Sequence, residues 1–170
     1  DKSDPSGNKI TIPLWLMDVD DYANLLDVTE YIQIRMIEKM LSLVSILSKN
    51  DAESNKYKNH LIAKALISVL YSNQVAAKMR DQVFSILQDC HTPELNIDVA
   101  VPGIGYTREF RRCFEIDNNG EFVERLLVTK YIQSFIDNNT KWNEDYVPTY
   151  FNLDQLENAL DFALISEGLL

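Results

Sequence analysis

From Val28 to Leu47 the chain carries an apolar side chain at twelve of twenty positions: Val28, Tyr31, Ile32, Ile34, Met36, Ile37, Met40, Leu41, Leu43, Val44, Ile46 and Leu47. Read at helical spacing, these residues form a stripe far broader than the one-sided face of a surface helix, so this segment is expected to be a central helix touched on several sides. Asp27 and Glu30 have the spacing of an N-cap with an acidic N3 partner, which sets the expected start. A helix of this kind has to be covered by other elements of the same chain.

The covering elements are legible in turn. Tyr57, Leu61, Ile62, Ala65, Leu66, Val69 and Leu70 recur at steps of three and four, which predicts a second helix closing near 71–73 after a loop, SKNDAESNK. Val75, Met79, Val83, Phe84, Ile86, Leu87 and Cys90 predict a third, so close behind that the two must pack antiparallel. Before the central helix, ITIPLWLM reads as an edge strand or a short helix carrying Trp15, because Pro13 cannot donate a ladder hydrogen bond. Residues 92–105 bring two prolines, two glycines and β-branched side chains. Phe110, Cys113 or Phe114, Ile116, Phe122 and Val123 then read as a hairpin closed at Asp117–Gly120, where Asn119-Gly120 tolerates positive φ. Residues 124–136 return to helical spacing, and Asn152 with Gln155 caps a last helix that Gly168 is placed to end.

The fold expected is mainly α, a helical bundle or an α-solenoid-like stack, with a small β-hairpin element near 97–123. The alternative is an α+β fold with a winged-helix-like C-terminal half. Residues 1–9, polar with Pro5 and Gly7, read as a disordered arm or linker, and 10–170 as a single mostly helical domain with sub-halves 10–91 and 92–170. At 170 residues such a chain hides about 70% of the surface its unfolded form exposes, enough for a core without staples.

Charge narrows the function classes. The formal net charge is -10, with 26 acids against 16 bases, so the global field repels phosphate backbones and anionic lipids. From Asp137 onward seven acids face one base, Lys141. Cys90 and Cys113 are the only cysteines, too few for a disulfide scaffold or a four-ligand zinc site. Reduced thiols in the cytoplasm or nucleus are the expectation. No apolar run reaches the roughly 20 residues of a membrane helix, and DKSDPSGNK has neither the basic end nor the greasy centre of a signal peptide. Because the chain begins at Asp1 and not Met, it reads as a fragment or processed form.

No catalytic constellation emerges. Gly103-Ile104-Gly105 is half of a dinucleotide fingerprint, followed by an extended-looking segment instead of a helix. Glu115, Asp117, Asn119 and Gly120 fit a calcium loop only until its twelfth place, where Leu126 stands instead of the bidentate Glu. His60 sits by Lys64 on a helix, and Cys90 and His91 are adjacent, an arrangement that does not turn two side chains toward each other. Asp20-Asp21 and Glu144-Asp145 read as solvated charge. No enzyme activity, cofactor or metal site is expected.

One cluster opposes the acidity: Arg108, Arg111 and Arg112, interleaved with Tyr106, Phe110 and Phe114. Strand alternation would send Arg108, Phe110 and Arg112 to one face and Glu109 and Arg111 to the other. With Trp142 and Tyr146 in the later aromatic loop, Tyr106, Arg108, Phe110, Arg111 and Arg112 are the candidate partner-binding residues. The function expected is a non-catalytic protein-protein interaction or scaffold domain of an intracellular multi-protein assembly, its partner another protein, with no membrane contact. The alternative is a nucleic-acid-associated module acting through the arginines inside a larger complex, which the net charge disfavours.

Overall fold

A computed structural model describes residues 12–137, 139 and 150–166. The N-terminal arm, Trp142 and Tyr146 lie outside the described residues. Among them are seven α-helices and one two-stranded antiparallel sheet, the mainly α fold with a small hairpin that the periodicities imply.

The central helix is α2 (Tyr31–Leu47), but only from Ile37 on is it central. Ile37, Met40, Leu41, Leu43 and Val44 are buried, with Ser42 and Ser45 beside them. The two serines spend their hydroxyls on carbonyls one turn back, Ser42 Oγ to Lys39 O at 3.0 Å and Ser45 Oγ to Ser42 O at 2.9 Å, so no polar atom is stranded. Against this face lies α7 (Leu153–Ser166), whose buried side, Leu156, Ala159, Phe162 and Ala163, alternates small and large residues so that the two backbones approach closely. Asn152 and Gln155 close the expected capping box at its start, with N–H···O distances of 2.9 and 3.0 Å.

The start of α2 differs from expectation. Asp27 is not its N-cap; it closes α1 (Val19–Leu25) in the left-handed region, φ 53°. Val28 N donates to Ala23 O at 2.8 Å and Asp27 N to Asn24 O at 3.3 Å, the two bonds of a Schellman turn. The real capping box is at the other end of α1, where Asp18 and Asp21 each accept the other's backbone N–H, at 2.9 and 3.2 Å. The acids read as idle surface charge thus include a cap. Ahead of it, the Pro13 segment is a 3-10 turn at Leu14–Leu16, the helical option and not the strand.

The helix α3 (Ala52–Leu70) begins inside the segment read as a loop, because Asp51 accepts from Ser54 N at 2.9 Å and caps it. It packs on α4 (Ala76–Asp89) through the short connection at 71–75, and on α6 (Arg125–Gln133). The sheet pairs β1 (Ala100–Pro102) with β2 (Thr107–Glu109), Val101 opposite Arg108. The hairpin closes at Gly103–Tyr106 and not at Asp117–Gly120. Gly105 adopts φ 80°, and at Gly103 a Cβ would come within 2.7 Å of the Tyr106 ring. Phe110–Cys113 is not strand but one helical turn, α5. Phe110, Cys113 and Phe114 are all fully buried at spacings of three and four, which a period of two cannot deliver to one side. Phe114 is the hub, its ring 5.6 Å from Phe84, 5.2 Å from Phe110 and 5.0 Å from Phe122. The Asp117–Gly120 turn survives, closing a single bridge between Ile116 and Phe122.

The winged-helix-like grouping does not form, since α7 packs chiefly on α2 and α4 while the sheet is backed by α6. One hydrophobic core takes in buried residues from α1 through α7.

Asp27 occupies a backbone position that a β-branched residue resists. Asp27→Val is expected to lower stability by about 1–2 kcal/mol and Asp27→Gly to match or exceed the parent, measured by urea denaturation. Equal losses in both would mean that the carboxylate, not the backbone, matters there.

Candidate functional site

The arginine cluster is assembled by the end of the hairpin, α5 and the start of α6. Each arginine is matched by an acid of the same chain. Arg108 Nη2 reaches Glu115 Oε2 at 3.0 Å and its Nη1 lies 3.9 Å from Glu124 Oε1. Arg111 pairs with Asp98, and Arg112 Nε donates to Glu109 Oε2 at 3.1 Å. Arg125, which sequence reasoning did not single out, donates to Glu121 at 3.0 Å and to Leu70 O at 2.8 Å. That second bond joins the first turn of α6 to the last carbonyls of α3, where a cation is favoured. Its link with Glu121 was readable as an i,i+4 pair; the contact across 55 positions had no local signal. Over 98–125 six acids face four arginines, so the region is not a basic patch at all.

The aromatics separate. Phe110 is fully enclosed in the core and gives a partner nothing to touch. Tyr106 is about half exposed; its hydroxyl lies 3.2 Å from both oxygens of Glu124, and partial burial together with that carboxylate pushes the phenol above its ordinary range. Three further apolar side chains stand in water: Ile104 at the hairpin tip is 100% exposed, Leu126 on α6 is 79%, and Tyr71 at the end of α3 is 67%. Leu126 follows Arg125 and Tyr71 follows Leu70, the two residues that this long-range bond joins.

The residues with reactive side chains have structural employment. Asp117 accepts from Asn119 N at 2.8 Å and Glu121 N at 3.0 Å, an Asx turn whose donors hold its carboxyl below the usual range. Burial and Asp89 push the Cys90 thiol up to about 12, and burial and Glu124 push Cys113 up to about 11, the opposite of an activated nucleophile. Both cysteines are free thiols. Cys90 and His91 border a hollow of about 120 Å³ with Lys58, which is only 4% exposed. Lys58 Nζ is spoken for by Lys49 O and, at 3.1 Å, Asn50 Oδ1, so it ties the end of α2 to α3 while burial lowers its pKa. Among the described residues no group of histidine, cysteine and carboxylate side chains is arranged to hold a metal ion, and no helix is long and apolar enough to cross a membrane.

A larger depression of about 500 Å³ is bordered by Lys56, Asn59, Ser134, Phe135, Ile136, Asp137 and Asn139. At its edge His60 Nδ1 accepts from Asp137 N at 3.1 Å, and Lys56 pairs with the Asp137 carboxylate at 3.3 Å. Beside it Asn59, Thr92 and Glu94 form a chain: Thr92 Oγ1 bonds Asn59 Oδ1 and accepts from Leu95 N at 3.0 Å, and Asn59 Nδ2 reaches Glu94 at 3.4 Å. These bonds fasten the end of α6 and the 92–96 turn to α3.

Comparison with protein-family models, with curated proteins and with solved structures finds no match to this chain.

Burial and Lys64 lower the pKa of His60 from 6.5, with Asp137 opposing. The unfolded chain therefore takes up this proton first, and stability is lost as pH falls through 6.5 toward the lower folded value. Thermal melts between about pH 7 and about pH 5 should show a loss in the parent that is smaller in His60→Asn, whose amide oxygen keeps an acceptor without titrating. An identical loss in both would remove His60 from the account.

Proposed function

We propose that the chain is a non-catalytic protein-interaction or scaffold domain, working within a multi-protein assembly of the cytoplasm or nucleus and engaging its partner through the end of the molecule formed by the hairpin tip and the start of α6. The carrying observation is the exposure of Ile104 and Leu126, 100% and 79%, each two positions from the Tyr106–Glu124 hydrogen bond that joins the hairpin to the start of α6. Leaving large aliphatic side chains in water on a fixed frame forgoes burial that a partner can recover, at about 25 cal/mol for each Å² covered. Tyr106 adds an amphipathic ring already pinned by Glu124, so little side-chain freedom is lost when it is covered. Arg108, Arg111 and Arg112 sit at the rim as neutralised pairs that contribute orientation more than affinity.

The same ion pairs speak against nucleic acid as the partner, because a phosphate backbone would have to displace the chain's own carboxylates from every arginine in turn.

With the chain as bait, affinity purification should retain a defined protein. Ile104→Ser and Leu126→Ser should each weaken that complex about tenfold or more while leaving the melting temperature unmoved. Retention undiminished in the double variant would refute this surface. Salt-sensitive binding to duplex DNA or RNA, abolished by Arg108→Glu with Arg111→Glu, would replace the proposal with the nucleic-acid one.

A further inference from the structure

The apolar stripe that runs through α2 is not covered along its whole length. Tyr31 and Ile32, in its first turn, are 72% and 70% exposed, and across the Schellman turn Leu25 and Leu26 are 63% and 57% exposed. These four fall within positions 25–32, on an elbow whose shape is fixed by the two hydrogen bonds around Asp27. Asp18, Asp20, Asp21, Asp27 and Glu30 belong to the same stretch of chain, and no lysine or arginine occurs between Lys9 and Arg35. Arg35 itself lies 3.8 Å from Glu38. Asp20, Asp27 and Glu30 have no ion-pair partner among the described residues.

We propose that this α1–α2 elbow is a second docking site, separate from the hairpin end, and that it takes a basic amphipathic segment of a protein partner. The apolar residues call for an apolar stripe, and the rim selects its flanks. A second copy of the chain, meeting this face through a two-fold axis, would bring five acids against five with no base to separate them. Anionic lipid headgroups and phosphate backbones meet the same repulsion. A helix with leucines or aromatics on one side and lysines or arginines flanking them satisfies both demands, its cations facing Asp20, Asp27 and Glu30 while its apolar side covers Tyr31 and Ile32. Because those carboxylates are uncommitted, the incoming cations break no existing pair, unlike at the hairpin end.

The test uses the full chain and a fluorescent helical peptide about four turns long, with leucines on one face and lysines on the other, followed by anisotropy. Binding that weakens with salt is expected, and a counterpart with glutamates in place of the lysines should not bind. Tyr31→Ser with Ile32→Ser should weaken it at least about tenfold, and so should Asp20→Asn, Asp27→Asn and Glu30→Gln combined. All five positions are exposed, and unchanged melting temperatures certify the fold. Ile104→Ser with Leu126→Ser should leave the peptide's affinity as it was, so this proposal and the hairpin-end one can fail separately. Absence of binding, equal binding of the glutamate peptide, or binding indifferent to the elbow variants would overturn it. So would a dimer in sedimentation that Ile32→Ser dissolves, which would assign the face to a second copy.

Discussion

The packing of α7 across the second half of α2 is the contact on which the rest of this structure depends. Leu41 and Val44 on α2 and Ala159 and Ala163 on α7 are wholly excluded from water, and four helices and both strands lie between the two in sequence. Closing that contact therefore fixes the ends of a long loop of chain. Everything between has to fit inside it: α3, α4, the sheet, α5 and α6. Such a closure between distant parts of the chain also explains why the last helix joins the first ones and does not form a separate winged-helix-like half with the hairpin.

Within that frame α3 acts as a polar spine as much as an apolar one. Along one helix, Lys58 secures the end of α2, Asn59 secures the 92–96 turn, His60 secures the end of α6, and the Leu70 carbonyl receives Arg125 from its start. Each is a buried or half-buried polar atom given a partner from another element, the condition under which polar groups specify position at little cost in stability. Two residues suggestive of chemistry, a histidine and a buried lysine, are engaged in this fastening. Their unusual surroundings follow from structure. The thiols show it best, since burial drives them away from the thiolate a nucleophile would need.

Most helices were legible because each repeats apolar residues at three and four over several turns, and the cap at Asn152 was legible because both members of its box lie three apart. What failed was local ambiguity. Asp27 and Glu30 satisfy the rule for a helix start, yet the chain uses Asp27 to end the preceding helix, which no residue type other than glycine or asparagine would have announced. Phe110, Cys113 and Phe114 were few enough to be read with either period, and burial of all three on one side decided for helix. The arginines looked like a cluster because sequence displays neighbours along the chain; the partners of Arg108 and Arg111, namely Glu115, Glu124 and Asp98, lie 7 to 16 positions away and arrive only through the fold, whereas Arg112 pairs with Glu109 three positions back. The candidate site was thus half legible. Tyr106 and the arginines do meet at one end of the molecule, but Phe110 belongs to the core, and Ile104, Leu126 and Tyr71 gain their meaning only from exposure.

Pairing the arginines with nearby acids has a consequence for the whole electrostatic surface. Four of the sixteen bases are consumed within 98–125 against six acids, so the hairpin end is left close to neutral for its size. The excess of acids collects elsewhere, most plainly at 18–30, where five acids occur without a base. Such a distribution makes two different kinds of surface. Where charge is cancelled internally, association gains little from long-range attraction and depends on shape and apolar contact. Where it is not, the field reaches about a Debye length, roughly 8 Å at physiological salt, and accelerates encounter with cations while turning polyanions away. If the α1–α2 elbow docks a basic segment as proposed, the acidity there selects the partner and is not a property spread evenly over the molecule.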